Sequence, residues 1–217
     1  MILRCLRFLT AGLLFAFAAS AHAQGTVQQG PWYVTAGVGA TFYDDMVFSG
    51  AVAGDISMGT GYSGNVAIGR FMDDKRALRL EFEGIYSQAS INNSAGFKTG
   101  GDISNGSVMF NFIYNIHTGT NSPWVPYVGG GLGYSYVTVS DLSDTATGTI
   151  LVDGSDGAFA YQFRAGVAYK FSPDWALTMA YRYIATENLG FATSTPGTAN
   201  SGGTRSHNAE LGFRFNF

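Results

Sequence analysis

The carboxy-terminal segment of the chain alternates strictly between apolar and polar residues. Leu211, Phe213 and Phe215 occupy every second position, and Glu210 and Arg214 lie on the opposite parity. Because successive side chains of a β-strand point to opposite faces, this pattern predicts a strand with one apolar and one polar face. A strand of a soluble antiparallel sheet has the same pattern, so this segment alone does not distinguish water from lipid.

Seven earlier segments show the same two-residue period. Each is long enough for the ~9–11 residues of a tilted membrane strand. The eight segments lie at about 32–42, 59–71, 78–86, 106–116, 124–137, 157–171, 175–184 and 205–217.

The connections between these segments alternate in length. Four are long and rich in Gly, Ser, Thr, Asn and Asp, and the three between them are short. Long loops on one side and short turns on the other predict an all-β fold, an eight-stranded antiparallel up-and-down transmembrane β-barrel with both termini on the periplasmic side. A soluble lipocalin-type barrel is the alternative. The long connections are 43–58, 87–105, 138–156 and 185–204, and the short ones are 72–75, 117–123 and 172–174.

The three tryptophans favour the membrane alternative. Trp32, Trp124 and Trp175 begin the first, fifth and seventh segments, so all three fall at the predicted periplasmic end. Tryptophan is enriched where a barrel crosses the membrane–water interface, and we therefore expect these residues to form a periplasmic aromatic belt. The aromatic residues expected at the opposite ends are Phe42, Tyr62, Tyr86, Tyr136, Phe159 and Tyr183.

The amino-terminal residues predict a cleaved export signal. Arg4 and Arg7 precede an apolar run that ends at a small-x-small site before Gln24, and this run is short for a transmembrane anchor. We expect a signal peptide at 1–23 and a barrel domain at 24–217. The only cysteine, Cys5, lies in the signal, so the barrel has no disulfide. The formal charge of −3 becomes −5 without the signal, which excludes a basic nucleic-acid-binding surface.

The sequence offers few residues for acid–base catalysis. After the signal only two histidines remain, His117 in a short turn and His207 near the outer end of the last segment. His117 is interpreted as a solvated turn residue. Ser206 precedes His207, but the surrounding pattern does not match outer-membrane lipid-modifying enzymes. We therefore expect no enzymatic activity.

Acidic residues concentrate in the predicted outer loops. Carboxylates can bind divalent cations, but the spacing here matches no defined calcium loop, so solvated acidic loops are expected, with no metal and no cofactor. The residues are Asp44, Asp45, Asp55, Asp141, Asp144, Asp153 and Asp156.

The three glutamates within the segments and four of the arginines share the polar parity. In an eight-stranded barrel this parity faces a narrow lumen that side chains largely fill, where unpaired charges are costly. We expect a lumen ion-pair network, with Arg182 and Glu210 on neighbouring strands as the clearest pair; an ion-conducting path is the alternative. The expected members are Arg79, Glu81, Glu83, Arg164, Arg182, Glu210 and Arg214.

Several stretches resemble a known family. The sequences PYVGGGLGY (126–134), FAYQFRAGVAY (159–169) and YRY (181–183), with the terminal Phe217, are similar to those of the eight-stranded opacity-protein-like surface antigens of Gram-negative bacteria. This group is related in architecture to the transmembrane domain of outer membrane protein A. The resemblance covers essentially all of the predicted mature chain, and it implies that Phe217 is an assembly signal for the barrel-assembly machinery.

The resemblance also suggests a function. It implies a monomeric outer-membrane protein with a structural role and with four extracellular loops that display an adhesin-like or antigen-like surface. The expected partners are outer-membrane lipid, the barrel-assembly machinery and a host or matrix ligand, and nucleic acid is not among them. A narrow porin-like channel and a surface lipid-modifying enzyme remain the alternatives.

Overall fold

The computed structural model describes most of the predicted barrel domain. It describes residues 30–50, 54–94, 99–118, 122–144, 149–187, 189–192 and 198–217. The predicted signal peptide at 1–23 lies outside the described residues. None of the residues that the structure describes forms a helix long and apolar enough to cross a membrane.

Eight long antiparallel strands close into a barrel. The strand Trp32–Tyr43 pairs with both the next long strand, Gly54–Phe71, and the carboxy-terminal strand, Arg205–Asn216, which closes the sheet. Three short strands, β2, β9 and β10, pair with one another and with β3 beyond one rim. The strands are β1 (Trp32–Tyr43), β2 (Met46–Gly50), β3 (Gly54–Phe71), β4 (Leu78–Ser94), β5 (Thr99–Asn115), β6 (Trp124–Asp144), β7 (Thr149–Lys170), β8 (Trp175–Thr186), β9 (Leu189–Ala192), β10 (Thr198–Ser201) and β11 (Arg205–Asn216).

The apolar parity of the long strands faces outward. Phe82, Phe110 and Leu132 are more than half exposed, whereas Glu83 and Asn111 on the opposite parity are buried in the lumen. A soluble barrel has the reverse arrangement, because its apolar residues fill the interior. The prediction of a transmembrane barrel is therefore confirmed, and the lipocalin-type alternative is wrong.

Glycines on the lumen face of β6 make room for larger side chains from β5. A Cβ atom at Gly133 would lie 2.6 Å from the sulfur of Met109, and one at Gly131 would collide with the side-chain oxygen of Asn111. An eight-stranded barrel leaves little interior space, so a large residue on one strand needs a small one beside it.

Turns at the periplasmic rim are short, as the sequence predicts. In the turn that joins β3 to β4, Asp73 Oδ1 accepts a hydrogen bond of 2.7 Å from the backbone N–H of Leu78. This bond is the main reason that the pKa of the Asp73 carboxyl lies below its usual value. The same turn places Arg76 at a positive φ of 55°.

The prediction of long loops on the outer side is wrong for much of their length. The predicted loop 87–105 is mostly strand, because β4 continues to Ser94 and β5 begins at Thr99. The predicted loop 138–156 is likewise divided between β6 and β7. The apolar outer face ends near Tyr86, which looks like the end of a strand, but backbone pairing needs no apolar face and continues above the membrane.

In these strand extensions the apolar and polar faces exchange sides. Ile91, Ile103 and Val137 point into the barrel and are at most 4% exposed, whereas Ser90 and Asp102 are exposed on the outside. Apolar residues turn inward here because water, and not lipid, surrounds this part of the barrel. The extension is therefore a short water-soluble barrel on top of a membrane barrel.

Candidate functional site: the charge network in the barrel lumen

Glu83 lies at the centre of a buried polar network at mid-height in the lumen. Its side chain is 0% exposed. Its Oε1 accepts hydrogen bonds from Arg182 Nη2 at 2.6 Å and from Arg164 Nη1 at 3.2 Å. Three neutral amides also donate to this carboxylate: Asn65 Nδ2 at 2.8 Å, Asn111 Nδ2 at 2.8 Å and Gln162 Nε2 at 3.0 Å. Every lone-pair direction of a buried carboxylate is thus directed at a donor, which is the condition for tolerating the charge.

A second buried carboxylate, Glu81, extends the network toward the periplasm. Arg164 Nη2 donates to Glu81 Oε1, and the hydroxyl of Tyr33 donates to Oε2 at 3.0 Å. Arg79 Nη1 lies 3.8 Å from the same Oε2. Arg164 on β7 therefore joins two glutamates of β4 across the lumen, although β4 and β7 are not neighbours in the sheet.

Arg182 and Glu210 pair on adjacent strands, as the sequence analysis expects. Nε of Arg182 lies 2.8 Å from Oε1 of Glu210, and its Nη2 donates to Oε2 at 2.9 Å. Arg182 also donates to Glu83, so it bridges two carboxylates and is fully buried. Arg164 is opposite Arg182 in the register of β7 and β8, and Glu83 lies between these like charges.

Arg214 stands apart from the expected network. Among the described residues, no lumen glutamate lies within ion-pair distance of its guanidinium group. Arg214 follows Glu210 by four positions on β11, which at ~3.3 Å per residue and a ~40° tilt puts it ~10 Å closer to the periplasmic end. It packs instead near the rings of Tyr33 and Phe71, at 5.8 and 5.9 Å. The sequence analysis included Arg214 in the network because its side chain shares the lumen parity. The structure separates it from the glutamates because it lies nearer to the end of its strand.

Sequence analysis missed the neutral members of this network. Asn65, Asn111 and Gln162 lie on the lumen parity of β3, β5 and β7 and are at most 9% exposed. The available signal was the presence of amide side chains on the same parity as the charges, since amides can donate to a carboxylate without adding charge.

The predicted aromatic belts lie on the outer surface. Trp32, Trp124 and Trp175 are 42–47% exposed at the first residues of β1, β6 and β8. At the other rim, Tyr136 contacts Ser155 through its hydroxyl at 2.6 Å. The twelve-residue step from Trp124 to Tyr136 corresponds to ~30 Å of barrel height at ~3.3 Å per residue and a ~40° tilt, which matches the hydrocarbon core.

The last residue continues the outward face of β11. The backbone N–H of Phe217 donates to the carbonyl of Trp32 at 3.0 Å, and its ring stacks on Phe215 with 6.1 Å between centroids. Its side chain is 51% exposed. The terminal ring is therefore accessible from outside the barrel at the periplasmic rim.

His117 lies at the mouth of the barrel, where it lines a small cavity, and His207 lies on the outer surface. Nε2 of His117 donates to the backbone carbonyl of Lys75 at 2.8 Å in an exposed turn. His207 points outward near the outer rim, where its Nε2 lies 3.2 Å from Asp44 Oδ1 and its Nδ1 lies 2.5 Å from the hydroxyl of Tyr181. Ser206 is buried on the opposite face of the strand, so these adjacent residues do not form a serine–histidine pair.

The described residues hold no group of three or more His, Cys, Asp or Glu side chains suited to a metal ion. Of the acidic residues singled out in the outer loops, Asp44 and Asp45 lie exposed between β1 and β2. Asp156 lies in β7, opposite Val137 of β6.

Comparison with known families identifies the barrel. Residues 9–217 match the family described as outer membrane protein beta-barrel domain. The chain belongs to this family. A protein of Gluconacetobacter diazotrophicus named outer membrane protein is 35% identical to the chain over 136 residues. The match covers 57% of this chain and 35% of the relative, so the chain spans about a third of that relative's length. The outer-membrane location predicted from the sequence is confirmed.

Solved structures of outer-membrane barrels share the fold. Neisserial surface protein A has a TM-score of 0.56 at 20% identity, covering 89% of this chain and 100% of that one. OprG from Pseudomonas aeruginosa has a TM-score of 0.61 at 15% identity, covering 86% and 97%. AlkL, solved in lipid bilayers, has a TM-score of 0.57 at 17% identity, covering 91% and 95%. At these identities the similarity supports a shared fold and does not extend to a shared activity.

Proposed function

We propose that this barrel is a non-enzymatic outer-membrane protein that contributes to envelope structure and displays a surface at its outer end. The observation that carries the proposal is the network around Glu83. A path for ions or solutes through the barrel has to pass this level, where Glu81, Glu83 and Arg182 are at most 1% exposed. An eight-stranded barrel is just wide enough for its own side chains, so a packed network at mid-height leaves no aqueous channel.

The outer end supplies the display surface. The strand extensions continue beyond the aromatic belt, into the space where partners approach from outside the cell. The sequence from 138 to 156 carries four aspartates and no Lys or Arg. Such a surface favours cationic partners, and its attraction weakens as salt screens it. The proposed partner is therefore a basic segment of a host or matrix protein, bound by a monomeric barrel in outer-membrane lipid.

Conductance in planar bilayers tests the closed lumen. We expect the folded wild-type protein to insert without discrete conductance steps. A barrel of the same family with a known open pore serves as the positive control for insertion. Regular steps from the wild-type protein would overturn the proposal, and a narrow channel would replace it.

Loop deletion tests the display role. Shortening the β6–β7 hairpin within 138–156 removes four aspartates. A deletion of equal length within 187–204 removes a single charged residue, Glu187. Binding of folded barrels to an immobilised poly-lysine peptide is measured at low and high salt. We expect the first deletion to abolish most binding and the second to leave it intact. Equal binding by the two variants would contradict display through the acidic hairpin.

A further inference from the structure

The periplasmic mouth of the barrel contains a small cationic cavity. Its volume is about 140 Å³, with room for several water molecules. Arg76, Lys170 and Arg214 line it together with Asn115 and Asn216, and no acidic side chain of the described residues does so. Three cations around one small cavity create a positive potential that attracts an anion from the periplasm.

Arg214 is the innermost of these cations and the least satisfied. Its side chain is 1% exposed, and its Nε and Nη1 atoms have no hydrogen-bond partner among the described residues. The lumen carboxylates are already engaged, since Glu81 and Glu83 bond to Arg164, and Arg182 bonds to Glu210. A buried guanidinium with free donors and no carboxylate is the group that an oxyanion satisfies best.

Two residues that line the same cavity carry unpaired acceptors. The side-chain oxygens of Asn115 and Asn216 are buried without a partner. Their orientation is fixed, because Asn115 Nδ2 donates to the carbonyl of Arg76 at 2.7 Å and Asn216 Nδ2 donates to that of Asp174 at 3.0 Å. An occupant that satisfies the whole site therefore needs anionic oxygens for Arg214 and at least one donor for the amide oxygens. A protonated phosphate has both, whereas sulfate has no hydrogen to donate.

The cavity is closed on its inner side. Tyr33, Phe71 and Tyr127 are at most 6% exposed, and the guanidinium of Arg79 lies over the Tyr127 ring at 4.8 Å. A ligand that enters from the periplasm stops at this layer. The cavity is thus a terminal binding site and not the entrance to a pore.

Cations around the cavity differ in their surroundings. Arg76 donates to the carbonyl of Gly30 at 2.9 Å and lies over the Phe71 ring at 4.9 Å. The pKa of Arg76 is lowered mainly by burial, and the carboxylate of Asp174 acts in the opposite direction. Lys170 lies at the end of β7 with an exposed side chain. Arg76 therefore shapes the rim, and Lys170 is the cation that can be removed with least disturbance.

We propose that the periplasmic mouth binds a protonated phosphate group, either free inorganic phosphate or a phosphate monoester. Arg214 is its main ligand, and Asn115 and Asn216 accept hydrogen bonds from its hydroxyl group. Acceptors in the site select phosphate over sulfate. Near pH 6 inorganic phosphate carries mainly one negative charge and two hydrogens, whereas sulfate carries two negative charges and no hydrogen, so a site that responded to charge alone would prefer sulfate.

Calorimetric titration of the folded barrel in detergent tests the proposal. The probes are inorganic phosphate, sulfate and glycerol 3-phosphate at equal ionic strength near pH 6. We expect saturable phosphate binding at least ten-fold tighter than sulfate binding. Tighter binding of glycerol 3-phosphate than of inorganic phosphate assigns the site to a monoester, and the reverse assigns it to the free ion. Absence of saturable phosphate binding, or equal binding of phosphate and sulfate, would overturn the proposal.

Variants separate the site from general electrostatics. Arg214→Met is expected to abolish binding, and because this buried change can impair folding, Lys170→Met is the second variant, with several-fold weaker binding. Arg70→Met is the matched control. Arg70 is exposed on the outer face of the same rim, over Trp32 at 5.6 Å, so its removal changes net charge equally without touching the cavity. Equal losses in Lys170→Met and Arg70→Met would refute the assignment.

Discussion

Replacing Glu83 by glutamine is the sharpest perturbation of the lumen. The substitution preserves the shape of the side chain but removes its charge and converts one oxygen into a donor. Five groups donate to the two oxygens of Glu83, and all of them lose an anionic acceptor. The new amide hydrogens would also point at groups that donate to the carboxylate in the wild-type protein.

The expected destabilisation is large. Glu83 Oε1 has three donors and Oε2 has two, so a glutamine leaves at least two buried donors without an acceptor. Each costs about 1–3 kcal/mol, and removal of one member of a buried ion pair costs about 3–5 kcal/mol in total. We expect a loss of ~4 kcal/mol in the free energy of unfolding, which lowers the ratio of folded to unfolded protein by about three orders of magnitude.

Urea unfolding in lipid vesicles measures this loss, and the gel mobility of unheated samples reports the folded fraction. Glu187→Gln is the matched control, because Glu187 is exposed and the same change there should stay within ~0.5 kcal/mol. Adding Arg182→Met to Glu83→Gln should lower the stability further, because Arg182 still pairs with Glu210 in the single variant and its removal leaves that carboxylate without its partner.

Equal unfolding free energies for the wild-type protein and Glu83→Gln would refute this reasoning. Such a result would mean that water reaches the network and solvates the freed donors. The lumen would then be polar but not closed, and the argument for a non-conducting barrel would lose its basis.

Three further predictions concern topology, assembly and packing. Cysteines introduced at Ser143 and Ser172 should react with an impermeant maleimide from opposite sides, so that intact cells label only the former; labelling of Ser172 alone would invert the barrel. Deleting Phe217 should reduce the folded fraction during assembly in cells, whereas exchange for tyrosine should be tolerated, and normal folding of the deletion would remove its role as an assembly signal. Gly133→Ala should destabilise the barrel by a few kcal/mol because its Cβ would collide with the backbone oxygen of Val108 and with Met109, whereas Gly106→Ala, whose Cβ meets nothing within 4 Å, should be neutral in urea titrations; equal effects would contradict tight lumen packing.

The alternation of apolar and polar residues at every second position was sufficient to predict the membrane part of the fold. It assigned Phe82 to lipid and Glu83 to the lumen, and the two lengths of connection gave the strand order. The pair Arg182–Glu210 could be expected because the two strands are neighbours. These inferences need only local geometry and adjacency in the sheet.

Contacts across the lumen could not be predicted in the same way. Arg164 meets Glu81 because strand tilt and stagger bring separate parts of the sheet to one height, and neither quantity is visible in a single strand. Stagger likewise separates Arg214 from the glutamates that share its parity. The strand extensions were missed for another reason. Ile103 and Val137 keep the lumen parity, but the outer face of their strands becomes polar at this level, and a polar outer face does not indicate a membrane strand.

The exchange of faces near the outer aromatic belt has a consequence for how deeply the barrel sits in the bilayer. Moving the barrel inward by four residues per strand would place Ser90 and Asp102 in hydrocarbon, where each polar group must give up its water. Moving it outward by the same step would expose rings such as Phe110 to water, at ~25 cal/mol per Å² of apolar surface. The two penalties oppose each other, so the pattern of apolar and polar residues along the strands determines how deeply the barrel sits in the bilayer.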